Sequence, residues 1–155
     1  MWSQLRGQEG STGGYGRRMG IDSTWRGDFD DLEINTLHAA AFGTRMFSPT
    51  EWPWRALVED HSLGWVTART DDGTLVGFVN VVWDGLVHAW LQDTMVLPSL
   101  HRQGIGERVV AVAVDHARRA GCEWLHVDFD DDLRAFYFDR CGFSPTTAGL
   151  IALQA

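Results

Sequence analysis

Two rhythms of apolar residues run along this chain, and the change between them falls at Pro98. Before it, apolar positions come in short β-branched and aromatic runs. GWVTART (64–70) and TLVGFVNVVW (74–83) are joined through Asp72-Gly73, which predicts a hairpin. A second Asp-Gly, Asp84-Gly85, leads into LVHAWLQDTMVLP (86–98), a further strand that ends at the proline. Three successive antiparallel strands are expected. After Pro98, Ile105, Val109, Val112, Ala113, His116 and Ala117 recur at helical spacing. Arg118 and Arg119 suit the negative C-terminal end of that helix, and Gly121 is placed to terminate it.

The flanking segments complete an α/β pattern. DDLEINTLHAAAF (30–42) follows an Asp-rich start with Leu32, Leu37 and Phe42 at helical intervals. SPTEWPWRALVEDH (48–61) reads as a second helix capped by Thr50, with Pro53 in its first turn and Trp54, Leu57 and Val58 on one face. Downstream, EWLHVDF (123–129) is strand-like, DLRAFYFDRC (132–141) predicts a short helix closed by Gly142, and FSPTTAGLIAL (143–153) is strand material. The order is ααβββ followed by αβαβ: antiparallel pairs first, then a βαβ crossover. The folded part is expected to begin near Trp25. Residues 1–20, rich in Gly, Ser, Gln and Arg, form an expected flexible tail, or an over-extended start with Met19 as the alternative initiator; residues 21–155 form one domain.

Composition narrows the chemistry. An apolar fraction of 45% in 155 residues is that of one globular domain. The net charge of −8, with all 13 basic residues arginine, disfavours a nucleic-acid partner and suits a cationic small substrate better. Cys122 and Cys141 are too few for a disulfide framework, no apolar run reaches membrane-spanning length, and the N-terminus lacks a signal-peptide core, so the expected address is the cytoplasm. The six histidines show no metal-ligand spacing and no metal is expected.

The most informative stretch is HRQGIGERVV (101–110), where Gly104 and Gly106 stand at the start of the long helix. Glycine costs helix stability, so two within three residues imply that something approaches the backbone there. A dinucleotide fold would need a third glycine where Val109 stands, at the first strand-helix junction rather than a late one.

With its strand-ending Val96-x-Pro98 followed by Gly104-x-Gly106, VLPSLHRQGIG (96–106) resembles the GNAT superfamily of acyl-CoA-dependent N-acyltransferases, and the late DLRAFYFDRCGF carries the matching Ala135, Gly142 and Phe143. His101 stands where Gln or Arg is usual. The resemblance spans about residues 25–153 and implies a GNAT fold: a mixed sheet of six to seven strands, antiparallel in its N-terminal half, flanked by about four helices. It implies acetyl-CoA as co-substrate. The residues that would hold it are Met95, Val96 and Leu97 on the strand end, His101, Arg102, Gln103, Gly104, Ile105, Gly106 and Glu107 at the helix start, with Arg108 nearby, and Asp131 and Phe138 beyond the crossover.

The implied reaction is acetyl transfer to a primary amine, in which a backbone N–H within residues 95–97 polarises the thioester. Asp93, three residues before Val96, is the candidate base or ammonium anchor; Trp90 and Gln92 point the other way on an ideal strand, unless a bulge intervenes. Many relatives place an acidic tyrosine four residues before Gly-Phe; here that position is Phe138, and the tyrosine is Tyr137, about 100° away on an α-helix. Tyr137 serves as the acid only if the helix is shifted. The acceptor is a small-molecule or peptide amine, protein N-termini and lysines remain open, and a non-catalytic CoA-binding module is the alternative that Phe138 motivates. Trp52, Trp54, Trp83 and Trp90 would either pack in the core, the more common fate of such residues, or wall an aromatic acceptor pocket. A homodimer would form through a strand edge or the C-terminal strand.

Overall fold

A computed structural model describes residues 20–154; apart from Gly20, the expected tail and Met19 lie outside the described residues. The elements are β1 (Ile21–Trp25), α1 (Asp31–Phe42), α2 (Trp54–His61), β2 (Ser62–Thr70), β3 (Leu75–Trp83), β4 (His88–Val96), α3 (Ile105–Arg119) and β5 (Trp124–Val127). A 3₁₀ turn at Asp131–Leu133 leads into a π-helix at Ala135–Arg140. The sheet runs β1-β2-β3-β4-β5 in sequence order; each pair is antiparallel except β4 and β5, which are parallel and joined by α3.

Strand alternation sends apolar side chains to both faces, and each face acquires its own core. On one, Val66, Ala68, Val81, Ala89 and Leu91 meet Ile105, Val109, Val110 and Ala113 of α3. On the other, Trp65, Phe78 and Met95 meet Phe29, Ile34, Leu37, Trp54 and Val58 from the α1 and α2 side. Asp30 and Glu33 cap α1 reciprocally, at 2.8 and 3.0 Å. Glu33 also receives both Arg69 guanidinium nitrogens, each at 2.8 Å, which fastens α1 to β2. The Arg69 hydrogen bond, reinforced by the Asp30 backbone bond and the charge of Arg69, holds the Glu33 carboxyl below its usual pKa against the opposing effect of burial.

Three expectations are corrected. Among the described residues the sheet has five strands, not six to seven. The 143–153 segment finds no strand partner there, leaving Leu150, Ile151 and Leu153 exposed, while polar Asp22, Ser23 and Thr24 conceal β1 from an apolar pattern search. Thr50 does not cap α2: the helix begins after Pro53 without a side-chain cap, and Glu51 instead binds back to Ser48. Leu57 lies on the exposed side of α2, whereas Trp54 and Val58 are buried.

Candidate active site

The site begins where two strands part. Pairing of β4 with β5 runs from His88↔Trp124 to Leu91↔Val127 and then stops, although β4 continues to Val96. Opposite β3, Asn80 pairs with Gln92 and Phe78 with Met95, so Val79 alone faces both Asp93 and Thr94. This is a β-bulge, and Asp93 sits in it with a left-handed φ of 52°. Beyond the bulge, Leu97 donates its N–H to the Val76 carbonyl at 2.8 Å. Successive peptides of a strand point opposite ways, so the N–H and carbonyl of Val96 face the gap instead. Of the three strand-end residues expected to face a thioester, only Val96 offers its backbone there; the Met95 side chain is fully buried in the α1/α2 core.

At the mouth of this gap α3 starts without a side-chain cap. The amides of Ile105, Gly106 and Glu107 have no backbone partner among the described residues; Arg108 is the first to bond back, to Gly104 at 3.1 Å. Gly104 has φ 76°, and a Cβ there would meet nothing within 4 Å, so its backbone conformation alone requires glycine. Gly106 has a different reason. A Cβ on it would come within 3.1 and 3.2 Å of the Phe136 ring, so the second glycine admits the π-helix against α3. Close packing on Phe136 thus gives Gly106 a reason of its own. Gln103, Gly104, Glu107, Arg108 and Ala111 line a shallow concavity of ≈ 430 Å³. Arg102 and Arg108 are exposed beside it, Glu107 lies 4.0 Å from Arg140, and the Ile105 side chain belongs to the core. His101 turns back, its Nε2 meeting the Val96 carbonyl at 3.0 Å.

Asp93 is half-buried, and among the described residues its carboxylate has no hydrogen-bond or ion-pair partner. Burial alone raises its pKa. Tyr137 approaches the same bulge at Thr94. It is buried, stacks on Phe129 at 4.6 Å, and neighbours the Thr94 hydroxyl. Burial raises the phenol pKa, the Thr94 hydroxyl opposes that rise, and the Cys141 thiol adds to it. The π-helix explains how the tyrosine reaches this point. Cys141 bonds back five residues to Phe136 at 3.0 Å, so each turn contains one residue more than an α-helical turn. Tyr137, five residues before Gly142, thereby regains the register of a residue four before it in an α-helix.

The remaining expected residues lie nearby but are differently engaged. Asp131 is exposed and pairs with Arg134 at 3.4 Å; Phe138 is half-buried, edge-on to Phe129 and beneath the Arg134 guanidinium. No periodicity marks Thr94, which lies in the bulge, or the grouping of Trp90 with His88 and His126 on β4 and β5. There Trp90 stacks on His126 at 5.0 Å, and His88 meets His126 at 2.8 Å, one residue before the strands part. Alternation on β4 together with the parallel register of β5 is the signal that could have found it. Among the described residues no cluster of three His, Cys, Asp or Glu could hold a metal ion, and no helix is long and apolar enough to cross a membrane.

Known proteins share this architecture. The chain superposes on a GNAT family acetyltransferase from Streptococcus pneumoniae with TM-score 0.70 at 23% identity, covering 87% of this chain and 98% of that one. Glucosamine-6-phosphate N-acetyltransferase from Arabidopsis thaliana matches with TM-score 0.65 at 16% identity over 84% and 97% of the two chains. An aminoglycoside N-acetyltransferase in complex with CoA matches with TM-score 0.61 at 16% identity over 90% and 97%. No curated protein matches the sequence. The profile of the acetyltransferase (GNAT) family matches residues 30–143, and the chain belongs to that family.

Proposed function

We propose that the protein transfers an acetyl group from acetyl-CoA to a primary amine of a small molecule, in the cytoplasm, by direct attack of the amine on the thioester. The observation that carries this reading is the clustering of three features at and just beyond the β4 bulge: the Val96 N–H facing the gap, Asp93 without a partner among the described residues, and the Tyr137 phenol beside Thr94. The family uses acetyl-CoA, and one structural neighbour was solved with CoA bound.

The residues present fit such a co-substrate. The uncapped amides at the start of α3, with Arg102 and Arg108, supply donors and positive charge for a diphosphate. The unpaired edge of β4 at Val96 offers a donor and an acceptor to an amide-bearing arm. Asp93 removes the ammonium proton, directly or through water, leaving the nitrogen lone pair free to attack the carbonyl carbon. The Val96 N–H stabilises the negative charge that develops on the carbonyl oxygen. As the C–S bond breaks, Tyr137 gives its proton to the departing sulfur, and the acetylated amine is released. The aromatic cluster of Trp90, His88 and His126 flanks the gap on the acceptor side.

A non-catalytic module is the weaker reading, because its motive was the phenylalanine at position 138 and the π-helix brings Tyr137 into that register. Incubation with acetyl-CoA and a panel of small amines, amino sugars and peptides, followed by detection of free thiol, tests the proposal. Thiol release dependent on a small amine supports it; tight CoA binding with no release across the panel overturns catalysis, and release with peptides alone overturns the small-molecule acceptor.

A further inference from the structure

The carbonyl of Val96 is where the chain's own residues and an incoming co-substrate meet. It points away from β3, because the neighbouring Leu97 peptide is the one engaged with Val76. It receives nothing from β5, whose pairing has already ended at Val127. Its partner is the His101 ring, at 3.0 Å. His101 is exposed, and its loop is bent by two left-handed residues, Arg102 at φ 64° and Gly104 at φ 76°. Among the described residues the ring makes no other hydrogen bond, so a single bond holds it across the open edge of β4.

From this geometry we infer that His101 is a latch on the donor site: its ring lies across the open edge of β4 on the Val96 carbonyl in the free protein, and it swings away when an amide N–H of a CoA arm takes that place. The inference rests on the CoA reading above and adds a positioning residue to it. A buried strand would satisfy this carbonyl permanently; here the satisfying group is a side chain on a short exposed loop, which can leave without disturbing either core. Displacing the ring exchanges one hydrogen bond for another, so its net effect on affinity is that of a single bond, about 2- to 10-fold.

The experiment compares the wild-type protein with His101→Ala, titrated by calorimetry with CoA and with pantetheine, which has the amide arm but no phosphates. The imidazole nitrogen resonances of His101 are followed in parallel in the unsubstituted protein. The expected result is pantetheine binding about 2- to 10-fold tighter in His101→Ala, and loss of the His101 to Val96 hydrogen bond when CoA saturates the wild type. CoA binding to both proteins with the His101 bond intact in the complex, or with pantetheine no tighter in the variant, overturns the latch and leaves the CoA reading standing. Failure of the wild type to bind CoA overturns that reading and the latch with it.

Discussion

Asp93 combines a left-handed backbone with a half-buried carboxylate that has no partner among the described residues. Such a group is costly to ionise in place, and its raised pKa expresses that cost. The sign follows from linkage. The unfolded chain gives up this proton at the ordinary carboxylate pKa and the folded protein only above it. As pH climbs through that interval, Asp93 therefore subtracts from stability, and the full penalty is present above the folded value. Asp93→Asn should melt higher than wild type at pH 7, the difference should close below about pH 3, and amine-dependent thiol release should fall by about 10²- to 10⁴-fold. Thermal melts across pH, read beside the activity, check both arms; a variant that melts lower at pH 7 contradicts the unpaired carboxylate. Glu33 runs the other way. With its pKa lowered by Arg69, it contributes stability above the unfolded carboxylate pKa and loses it as pH falls through the folded value. Tyr137→Phe removes one hydroxyl from a buried stack, so its expected signature is a lower kcat with little change in KM for either substrate.

The two glycines of α3 belong to different elements of the design and should answer differently to alanine. At Gly104 the added methyl meets open space but must adopt φ 76°, so Gly104→Ala should lose about 1–2 kcal/mol of stability through the backbone alone. At Gly106 the backbone is helical and the methyl would stand 3.1 Å from the Phe136 ring, which must give by a few tenths of an ångström. Gly106→Ala should therefore couple to Phe136→Leu, the alanine being better tolerated beside the smaller side chain, a coupling that denaturant melts of the four proteins in a double-mutant cycle would reveal. Additive effects would contradict the packing account. Which elements were legible follows the same division between local and tertiary causes. The strands β2 to β5 and the helices α1 and α3 announce themselves through periodicity and Asp-Gly turns, because their signals are local. The β1 strand has only Ile21 and Trp25 around three polar residues, and it is held by tertiary contacts, the edge of β2 and the stacking of Trp25 on His116. The bulge at Asp93 arises from the mismatch of β3 and β4, and the π-helix from packing around Tyr137; neither has a periodicity of its own. Within Gly-x-Gly, the left-handed turn at Gly104 is a local signal, whereas the packing partner of Gly106 lies thirty residues away in sequence.

At the scale of the whole molecule, the proposed donor site draws on β4, α3 and the π-helix, so residues from 93 to 141 must be folded together before it exists. An unfolded chain offers CoA nothing comparable, and a ligand that binds only the folded state raises stability by mass action. Saturation at a hundred times Kd is worth about 2.7 kcal/mol, which for a domain of this size lifts Tm by about 5–11 °C. The protein carries a net charge of −8 and would repel a polyanion at long range. In the proposed complex the diphosphate must therefore be held locally, by the bare amides of α3 and the guanidinium groups of Arg102 and Arg108. Replacing both arginines with alanine should shrink the Tm rise produced by CoA while leaving the smaller rise produced by pantetheine unchanged, since the latter ligand has no phosphate to lose contact with. Differential scanning of the two proteins with each ligand separates these contributions. Equal loss for both ligands would mean that the arginines support the fold around β4 rather than the charge on the co-substrate.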